Sequence, residues 1–370
     1  MSFFDPKKIV FICNSLSVKA GVESRTLEQM LYFRSKGCQV ELCILREEGP
    51  IADMYRSHGI KVHFIQVYKQ QMITCNPLKL IKLSFFLLSN RFGTIICVQH
   101  PSHYFGRLAC FPLLGRKNII MERTAIENRP KLKFLLDYLL SFLTHKMVCI
   151  GRQIKTTFLK KTNINPDKLI VIENGIKLPE APNPMIEKKK KFGNNLVFGS
   201  VGMLIPSKRI NILIQSFAQV LKKFPNSFLI IVGDGPEKEN LKKLSRSLRI
   251  EKQIFFTGQQ FKLHDFYPLF DIFVFPTISE GFGTVLYEAM AYKLPTISTN
   301  IKPMNDYVTN GHTALLFEAD NLDSLTNKMI ELSESERLRK EIGFNGYQFV
   351  RHSFDYSQQL EKIYKLIFKN

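Results

Sequence analysis

The sequence predicts an α/β protein of two domains, each built on a parallel sheet covered by helices. Its 370 residues exceed the size at which a single hydrophobic core usually keeps growing, so two domains are expected. Short β-rich segments alternate with longer helical patterns in both halves, which is typical of parallel sheets. A break rich in proline and lysine separates the halves. We therefore expect domains at 1–178 and 195–352, joined by a linker at 179–194.

The break contains three prolines within 178–184 and four consecutive lysines at 188–191, and both features argue against packed structure. Strands of the first domain are predicted at 8–13, 40–45, 61–67, 94–98, 118–121, 147–150 and 169–172. Those of the second domain are predicted at 196–201, 227–232, 253–256, 271–275 and 295–298. A C-terminal helix at about 353–370 is expected to pack back on the first domain. Because open parallel sheets bind ligands beyond the carboxyl ends of their strands, two such domains facing one another would form a binding cleft.

Composition indicates a soluble chain, with 45% hydrophobic and 23% charged residues. The sequence contains no apolar run of membrane-spanning length and no signal-peptide pattern at its start, so a cytoplasmic location is expected. The seven cysteines form no C-x-x-C pair and most lie in apolar, strand-like contexts. Reduced core thiols are therefore favoured over disulfides or a metal site.

The net charge of +20 is concentrated in the first half of the chain. Residues 1–180 carry 27 Lys and Arg against 13 Asp and Glu, and residues 181–370 carry 25 against 19. Such a field attracts lipid head groups, nucleic acid or phosphorylated substrates, although a solubilising charge excess also explains it. No compact basic and aromatic motif stands out, so nucleic acid is not an expected partner.

The segment 279–290, S-E-G-F-G-T-V-L-Y-E-A-M, is the most informative of the chain. Two glutamates, Glu280 and Glu288, bracket a glycine turn that follows a predicted strand and opens into a helix. The first amides of that helix, near Thr284 and Val285, would lack helical partners and lie at the positive end of the helix dipole, which suits a phosphate. A capping Glu280 and a solvated Glu288 would explain an isolated pair equally well, but companion loops favour the binding site.

Three further loops follow predicted strands of the second half. The loop at 201–209 places Lys208 near a helix start, where its ammonium can neutralise a diphosphate as a point charge. The loop at 232–236, V-G-D-G-P, makes a tight turn, and a turn without a ligand is the favoured interpretation for most of it. The loop at 256–259 could expose backbone groups to a nucleobase.

Four motifs follow one another along the second half: V-G-x-L-x-x-x-K-R, V-G-D-G-P, F-x-G and E-G-F-G-T-V-L-Y-E-A-M-A. In this order they resemble the donor domain of retaining nucleotide-sugar glycosyltransferases with the GT-B fold, which are glycosyltransferase family 4 or glycosyl transferases group 1. The resemblance spans most of 196–300. It continues more weakly in the first half, at the glycine loop 19–24 and at 171–176. It implies two Rossmann-like domains facing across a cleft, with the nucleotide sugar held mainly by the second.

The resemblance also implies a role for each motif residue. Lys208 and Glu280 would be catalytic, Lys208 by contacting the diphosphate and Glu280 by orienting the donor sugar, while Glu288 would bind the ribose. The implied donor-binding residues are Gly21, Gly281, Phe282, Gly283, Thr284, Val285 and Glu288.

The chain departs from the family pattern at two positions. Met203 stands where the family usually has an arginine, and neighbouring Arg209 is expected to point elsewhere, so it remains only a candidate for the phosphate side. Arg123 stands where many members place a histidine. It could supply a cation to the phosphate or acceptor, and pairing with Glu127 is equally plausible. His100 and His103 are further acceptor-side candidates, although a structural role is favoured for both.

The implied activity is transfer of a hexose, with retention of configuration, from a UDP- or GDP-linked donor to a glycan or lipid-linked acceptor. The resemblance places this reaction in the synthesis of envelope polysaccharide, lipopolysaccharide or glycolipid. The absence of a D-x-D motif predicts no metal, and no cofactor is expected besides the co-substrate. A dinucleotide-dependent oxidoreductase would need G-x-G-x-x-G, which is missing. A non-hydrolysing sugar-nucleotide epimerase, a silent relative and a non-enzymatic membrane- or nucleic-acid-binding relative remain alternatives.

Two helical segments of the first half, 76–88 and 129–140, are both apolar and basic. Each could lie in a bilayer interface, or could be an ordinary helix packed on the sheet with its lysines in water. Together with the basic first half, they suggest peripheral binding to an anionic membrane surface at the inner face of the cytoplasmic membrane.

Overall fold

The computed structural model describes residues 4–16, 21–49, 51–68, 76–98, 100–111, 116–179, 191–260 and 262–368. The chain forms two compact units, one ending at Glu173 and resuming at Gln359, the other spanning the residues between. The division lies a few residues before the expected boundary at 178, because the chain after Glu173 already packs on the second unit. There the Asn174 side chain donates to Thr284 Oγ1 at 3.2 Å, and Ile176 pairs with Asp355.

The first unit is built on a parallel sheet of seven strands in the order β3-β2-β1-β4-β5-β6-β7. The strand order reverses between β1 and β4. The strands are β1 Asp5–Ser15, β2 Gln39–Glu47, β3 Lys61–Phe64, β4 Phe92–Cys97, β5 Lys117–Glu122, β6 Lys146–Cys149 and β7 Leu169–Val171.

Helices cover both faces of this sheet. They are α1 Gly21–Ser35, α2 Ala52–Ser57, α3 Pro77–Ser89, α4 Ser102–Cys110, α5 Lys131–Ser141 and α6 Arg152–Lys161. Helices α1 and α2 share a core with alternate sheet residues such as Phe11. Helix α4 lies on the opposite face, where Gly106 approaches Ile12 and Cys97 and leaves no room for a larger residue. Since side chains alternate along a strand, both faces are apolar and the sheet is buried.

The second unit is a parallel sheet of six strands in the order β10-β9-β8-β11-β12-β13, which reverses between β8 and β11. The strands are β8 Val197–Val201, β9 Phe228–Val232, β10 Ile254–Phe256, β11 Ile272–Phe275, β12 Thr296–Thr299 and β13 Leu315–Phe317. The helices are α7 Ile210–Lys223, α8 Lys238–Ser247, α9 Thr284–Ala291, α10 Leu322–Glu334 and α11 Glu336–Ser353. Every predicted strand is confirmed in both units. Among the strands of the described residues, only the three-residue β13 had no counterpart in the prediction.

The last helix, α12 Tyr356–Phe368, joins the first unit from Gln359 onward. Ile363 and Ile367 enter the core beneath β1 and α1. The Tyr32 hydroxyl donates to Glu361 Oε2 at 2.6 Å, which fixes the helix against α1. The segment expected at about 353–370 therefore divides, since Ser353 still belongs to α11.

Part of the predicted linker is structured. Residues 180–190 lie outside the described residues, but Phe192 is buried with its ring 5.2 Å from that of Phe228 and 5.8 Å from that of Phe255. Within the stretch 191–194, which was predicted to belong to the linker, the Phe192 ring therefore anchors the chain on the second sheet. All six cysteines in the described ranges are free and buried, which confirms the prediction of core thiols, and Cys75 lies outside those ranges. None of the helices described is long and apolar enough to cross a bilayer.

Candidate active site

The loops after β8 and β11 meet at the carboxyl edge of the second sheet, where the strand order reverses. The Ile278 amide donates to Ser207 O at 2.9 Å, and Thr277 Oγ1 donates to the same carbonyl at 3.2 Å. These bonds bring Lys208, at the end of a 3₁₀ turn after β8, beside Glu280. Such a reversal point is where doubly wound sheets bind ligands.

Lys208 and Glu280 form an ion pair between these two loops. Their side chains are only 18% and 15% exposed, so water screens the pair weakly. The ammonium also lies 5.6 Å from the centre of the Phe275 ring at the end of β11. The structure thus joins the two residues predicted to be catalytic, each fixed by the other.

Helix α9 begins immediately after the glycine turn. Gly283 is buried with φ +81°, and an added Cβ would lie 2.3 Å from Met304 Cε, so both its conformation and its surroundings require glycine. Gly281 and Phe282 are buried beside it, and Thr284 and Val285 are partly exposed in the first turn. The amides of this turn lie at the positive end of the helix dipole, as an anion seat requires.

Glu288 lies one helical turn beyond Thr284 and is partly exposed. Its Oε2 accepts a hydrogen bond of 2.8 Å from the hydroxyl of Tyr267, a buried residue whose ring stacks on Tyr292 at 5.1 Å. Tyr267 orients Glu288 and was missed by the sequence analysis, because a tyrosine before a strand carries no signal of this contact.

The loops after β8, β9 and β10 pack side by side. The Leu204 amide donates to Asp234 O at 2.9 Å, and the Gly233 amide to Gly258 O at 3.0 Å. A Cβ on Gly233 would lie 1.8 Å from Gly202 O, so this glycine allows the close approach of two backbones. Hence V-G-D-G-P holds the loops together. Met203, on the loop after β8, is 57% exposed.

Arg209 is held by a carboxylate. Its Nε donates to Asp320 Oδ1 at 2.6 Å and its Nη2 to Asp320 Oδ2 at 3.2 Å, so the guanidinium makes a bidentate pair. As a candidate for phosphate binding, Arg209 would first have to leave this partner.

Two candidates of the first unit meet at α1. Gly21 is the first residue of this helix, and residues 19 and 20 of the glycine loop lie outside the described residues. Arg123, just after β5, donates to Gln29 Oε1 at 2.7 Å and to Val22 O at 3.3 Å. These contacts hold Arg123 against α1.

The two histidines lie around α4 and are uncharged at neutral pH. His103 is buried, with Nε2 3.1 Å from Met121 O, and burial together with nearby Arg107 holds its pKa well below the usual range. His100 packs its ring edge-on to Tyr104 at 4.8 Å, and burial reinforced by Arg129 lowers its pKa to about 4. His103 therefore links α4 to β5, in the manner of a structural histidine.

A buried ionic network adjoins His103 and was not anticipated from the sequence. Asp137 accepts from Arg107 and Arg129 at 2.7 Å each, and Arg129 also donates to Glu122 Oε2 at 2.6 Å. It ties α4 and α5 to the end of β5. A lone aspartate within the basic and apolar α5 is the one signal that could have suggested it.

Family models match nearly the whole chain. Residues 183–349 match the model described as glycosyl transferases group 1, and residues 20–179 match glycosyltransferase family 4. The capsular polysaccharide biosynthesis glycosyltransferase CapM of Staphylococcus aureus is 30% identical over 64% of this chain and 65% of its own length. The UDP-Gal:α-D-GlcNAc-diphosphoundecaprenol α-1,3-galactosyltransferase of Escherichia coli is 25% identical over 90% of this chain and 91% of its own.

Solved structures share the fold across the chain. HepE of Anabaena, crystallised with UDP, superposes with a TM-score of 0.85 at 18% identity and covers 97% of this chain and 99% of its own. TarM of S. aureus superposes with a TM-score of 0.81 at 14% identity, over 98% of this chain and 100% of its own. The two parallel-sheet units are those of the GT-B fold, and the chain belongs to glycosyltransferase family 4.

Proposed function

We propose that the chain is a retaining hexosyltransferase that transfers a hexose from a UDP-sugar to a glycan or lipid-linked acceptor. The observation that carries the proposal is the Lys208–Glu280 pair beside the first turn of α9. The relatives support the donor and acceptor classes, since one is named for the use of UDP-galactose on a diphosphoundecaprenol-linked sugar and another for capsular polysaccharide synthesis. The pathway we favour is the synthesis of envelope polysaccharide or glycolipid.

Each side chain has a place in this reaction. The amides of Gly283, Thr284 and Val285 and the Lys208 ammonium hold the diphosphate, because both present positive charge to it. Glu288, oriented by Tyr267, accepts hydrogen bonds from the ribose hydroxyls. Glu280 accepts hydrogen bonds from the donor sugar.

The transfer breaks the bond between the anomeric carbon and the diphosphate oxygen and forms one from the acceptor oxygen on the same face. The acceptor hydroxyl passes its proton to the departing diphosphate, so no dedicated protein base is required. Charge developing on the diphosphate is stabilised by Lys208 and the helix amides. Met203, on the loop after β8, carries no charge, and Arg209 is engaged by Asp320. Lys208 and the helix amides therefore bear a larger share of the charge on the diphosphate. The proposal uses no metal and places the enzyme in the cytoplasm, peripherally on the membrane.

The test is product analysis with a panel of UDP- and GDP-hexoses and a lipid-linked saccharide acceptor. We expect one UDP-hexose to be consumed and NMR of the product to show the anomeric configuration of the donor. An inverted product would overturn the retaining mechanism. Release of a free 2-epimer without acceptor would overturn transfer in favour of the epimerase.

A further inference from the structure

Helices α3 and α5 each expose a stripe of large apolar side chains. On α3 the stripe is Leu78, Ile81, Phe85 and Leu88, between 36% and 75% exposed. On α5 and the residue that caps it, the stripe is Leu132, Leu135, Leu139 and Phe142, between 52% and 70% exposed. Both have the spacing i, i+3, i+7 and i+10, which keeps the four side chains on one face of a helix.

The two stripes belong to neighbouring helices. Helix α4 contacts both α3 and α5, and it exposes Leu108 and, at the residue that caps it, Phe111. The outward side chains of α3, α4 and α5, which we call the docking face, therefore present ten large apolar residues on adjacent helices. Scattered apolar residues are normal on a soluble surface, but a contiguous group of this size marks an interaction site.

The helices of the docking face and the adjoining α6 carry mainly positive charge. Helices α3, α5 and α6 carry lysines, among them Lys79, Lys82 and Lys131. Among the residues of the four helices α3, α4, α5 and α6 themselves, the single acidic one is Asp137, which is buried between Arg107 and Arg129 and so presents no negative charge outward. The loop before α5 adds one partly exposed carboxylate, Glu127. A partner for this face must be apolar and anionic.

A cavity of about 630 Å³ borders the docking face between α5 and α6. Apolar side chains, including Leu135 and Leu159, line it beside Lys131, Lys160 and Lys161. An apolar floor with cations at the side matches a phosphate head group attached to acyl chains.

We propose that the docking face binds an anionic phospholipid bilayer, with its apolar side chains in the interface and its lysines on lipid phosphates. A second copy of this chain is disfavoured as the occupant, because a symmetric contact would bring the same lysines together without acidic partners. The inference deepens the membrane placement in the proposed function, but it lies outside the donor site and its test needs no sugar transfer.

The test is co-sedimentation with vesicles of phosphatidylcholine alone and of phosphatidylcholine mixed with phosphatidylglycerol. We expect binding to the mixed vesicles only, and its loss at about 1 M salt, where the Debye length is about 3 Å. The double variant Phe85→Ser with Leu135→Ser should bind at least about tenfold more weakly, since apolar burial in the interface is lost. Phe344→Ser, which changes a 53% exposed phenylalanine on α11, is the matched control and should bind as the unaltered protein does.

Equal binding to both vesicle types, or full binding by the double variant, would overturn the proposal. Sedimentation velocity tests the other occupant, a second copy of the chain. A dimer that forms in the unaltered protein and in Phe344→Ser but not in the double variant would assign the face to a second copy, and this result would also overturn the proposal. UDP affinity of the double variant is measured alongside and should be unchanged. Vesicle binding without UDP binding would contradict the proposed function alone, and the reverse result would contradict the docking face alone.

Discussion

Lys208 and Glu280 neutralise one another across the loops that follow β8 and β11. A diphosphate that binds to Lys208 must therefore compete with a carboxylate already in contact with the ammonium. It also brings its own negative charge towards Glu280. The pair thus opposes binding of the free nucleoside diphosphate, and in the proposed reaction it does so after transfer, when the sugar that Glu280 holds has left.

The Glu280→Gln substitution tests this competition. We expect UDP to bind about tenfold more tightly, because a charged hydrogen bond worth about 1.5–3 kcal/mol becomes available to it. Transfer should fall by about 10²-fold or more, since the donor sugar loses an orienting group. Calorimetry and initial rates measure the two effects. Glu334→Gln, which removes the carboxylate of the exposed Lys223–Glu334 pair, is the control, and weaker UDP binding by Glu280→Gln would refute the competition.

The Gly283→Ala substitution tests whether the start of α9 seats the donor. An added methyl group would face both an unfavourable φ of +81° and a contact of 2.3 Å with Met304 Cε. Gly311→Ala is a matched control, because Gly311 has φ +75° but nothing within 4 Å of an added Cβ. Backbone strain from a positive φ, which is all that Gly311→Ala introduces, lowers the free energy of unfolding by about 1–2 kcal/mol. Gly283→Ala should lower it further and should abolish the thermal shift caused by UDP. An unchanged UDP response in Gly283→Ala would place the diphosphate elsewhere.

The Met203→Arg substitution tests whether the loop after β8 faces the diphosphate. The side chain is already exposed, so an arginine should be accommodated without loss of stability. We expect UDP affinity to rise about tenfold, in line with a charged hydrogen bond of about 1.5–3 kcal/mol. Met203→Gln controls for polarity without charge and should change affinity little. No gain in Met203→Arg, measured by calorimetry, would show that the loop does not reach the phosphates.

The Asp137→Asn substitution tests the buried network of the first unit. It leaves the fully buried Arg107 without the carboxylate that neutralises it, which should lower the free energy of unfolding by about 3–5 kcal/mol. Urea denaturation measures this loss. Asp53→Asn removes the exposed partner of Arg56 and should cost less than about 1 kcal/mol. Similar losses in both variants would show that burial adds nothing to the Asp137 pair.

Buried His103 should make stability fall in mild acid. Its pKa in the folded chain is depressed by burial and by Arg107, with Arg129 and His100 acting in the same sense and Asp137 opposing them. The unfolded chain takes up the proton near pH 6.5 and the folded chain does not, so stability is complete above that pH and declines below it. The decline approaches about 1.4 kcal/mol per pH unit. His103→Gln should flatten the melting profile between neutral and mildly acidic pH, whereas exposed His352→Gln should not; equal slopes would contradict the assignment.

The fold was largely predictable because strands such as 228–232 are short, apolar and followed by turn residues, a pattern that depends on local sequence. The three-residue β13 was not predicted, because so short a strand shows too little of this pattern. At the site, the glycines predicted the turn before α9, and the positions of Glu280 and Glu288 on either side of that turn followed from the sequence. The Tyr267–Glu288 contact and the Asp137 network were not, since they join residues that come together only through tertiary packing.

The most direct test of the central claim is the affinity for UDP, measured by calorimetry, of the unaltered protein and of Lys208→Ala and Lys223→Ala. Both substitutions remove a lysine that pairs with a glutamate of the second unit, but only Lys208 lies beside α9. We predict that UDP binds the unaltered protein and Lys223→Ala alike, and Lys208→Ala at least about tenfold more weakly. Equal UDP affinity in all three proteins would contradict the assignment of the donor site.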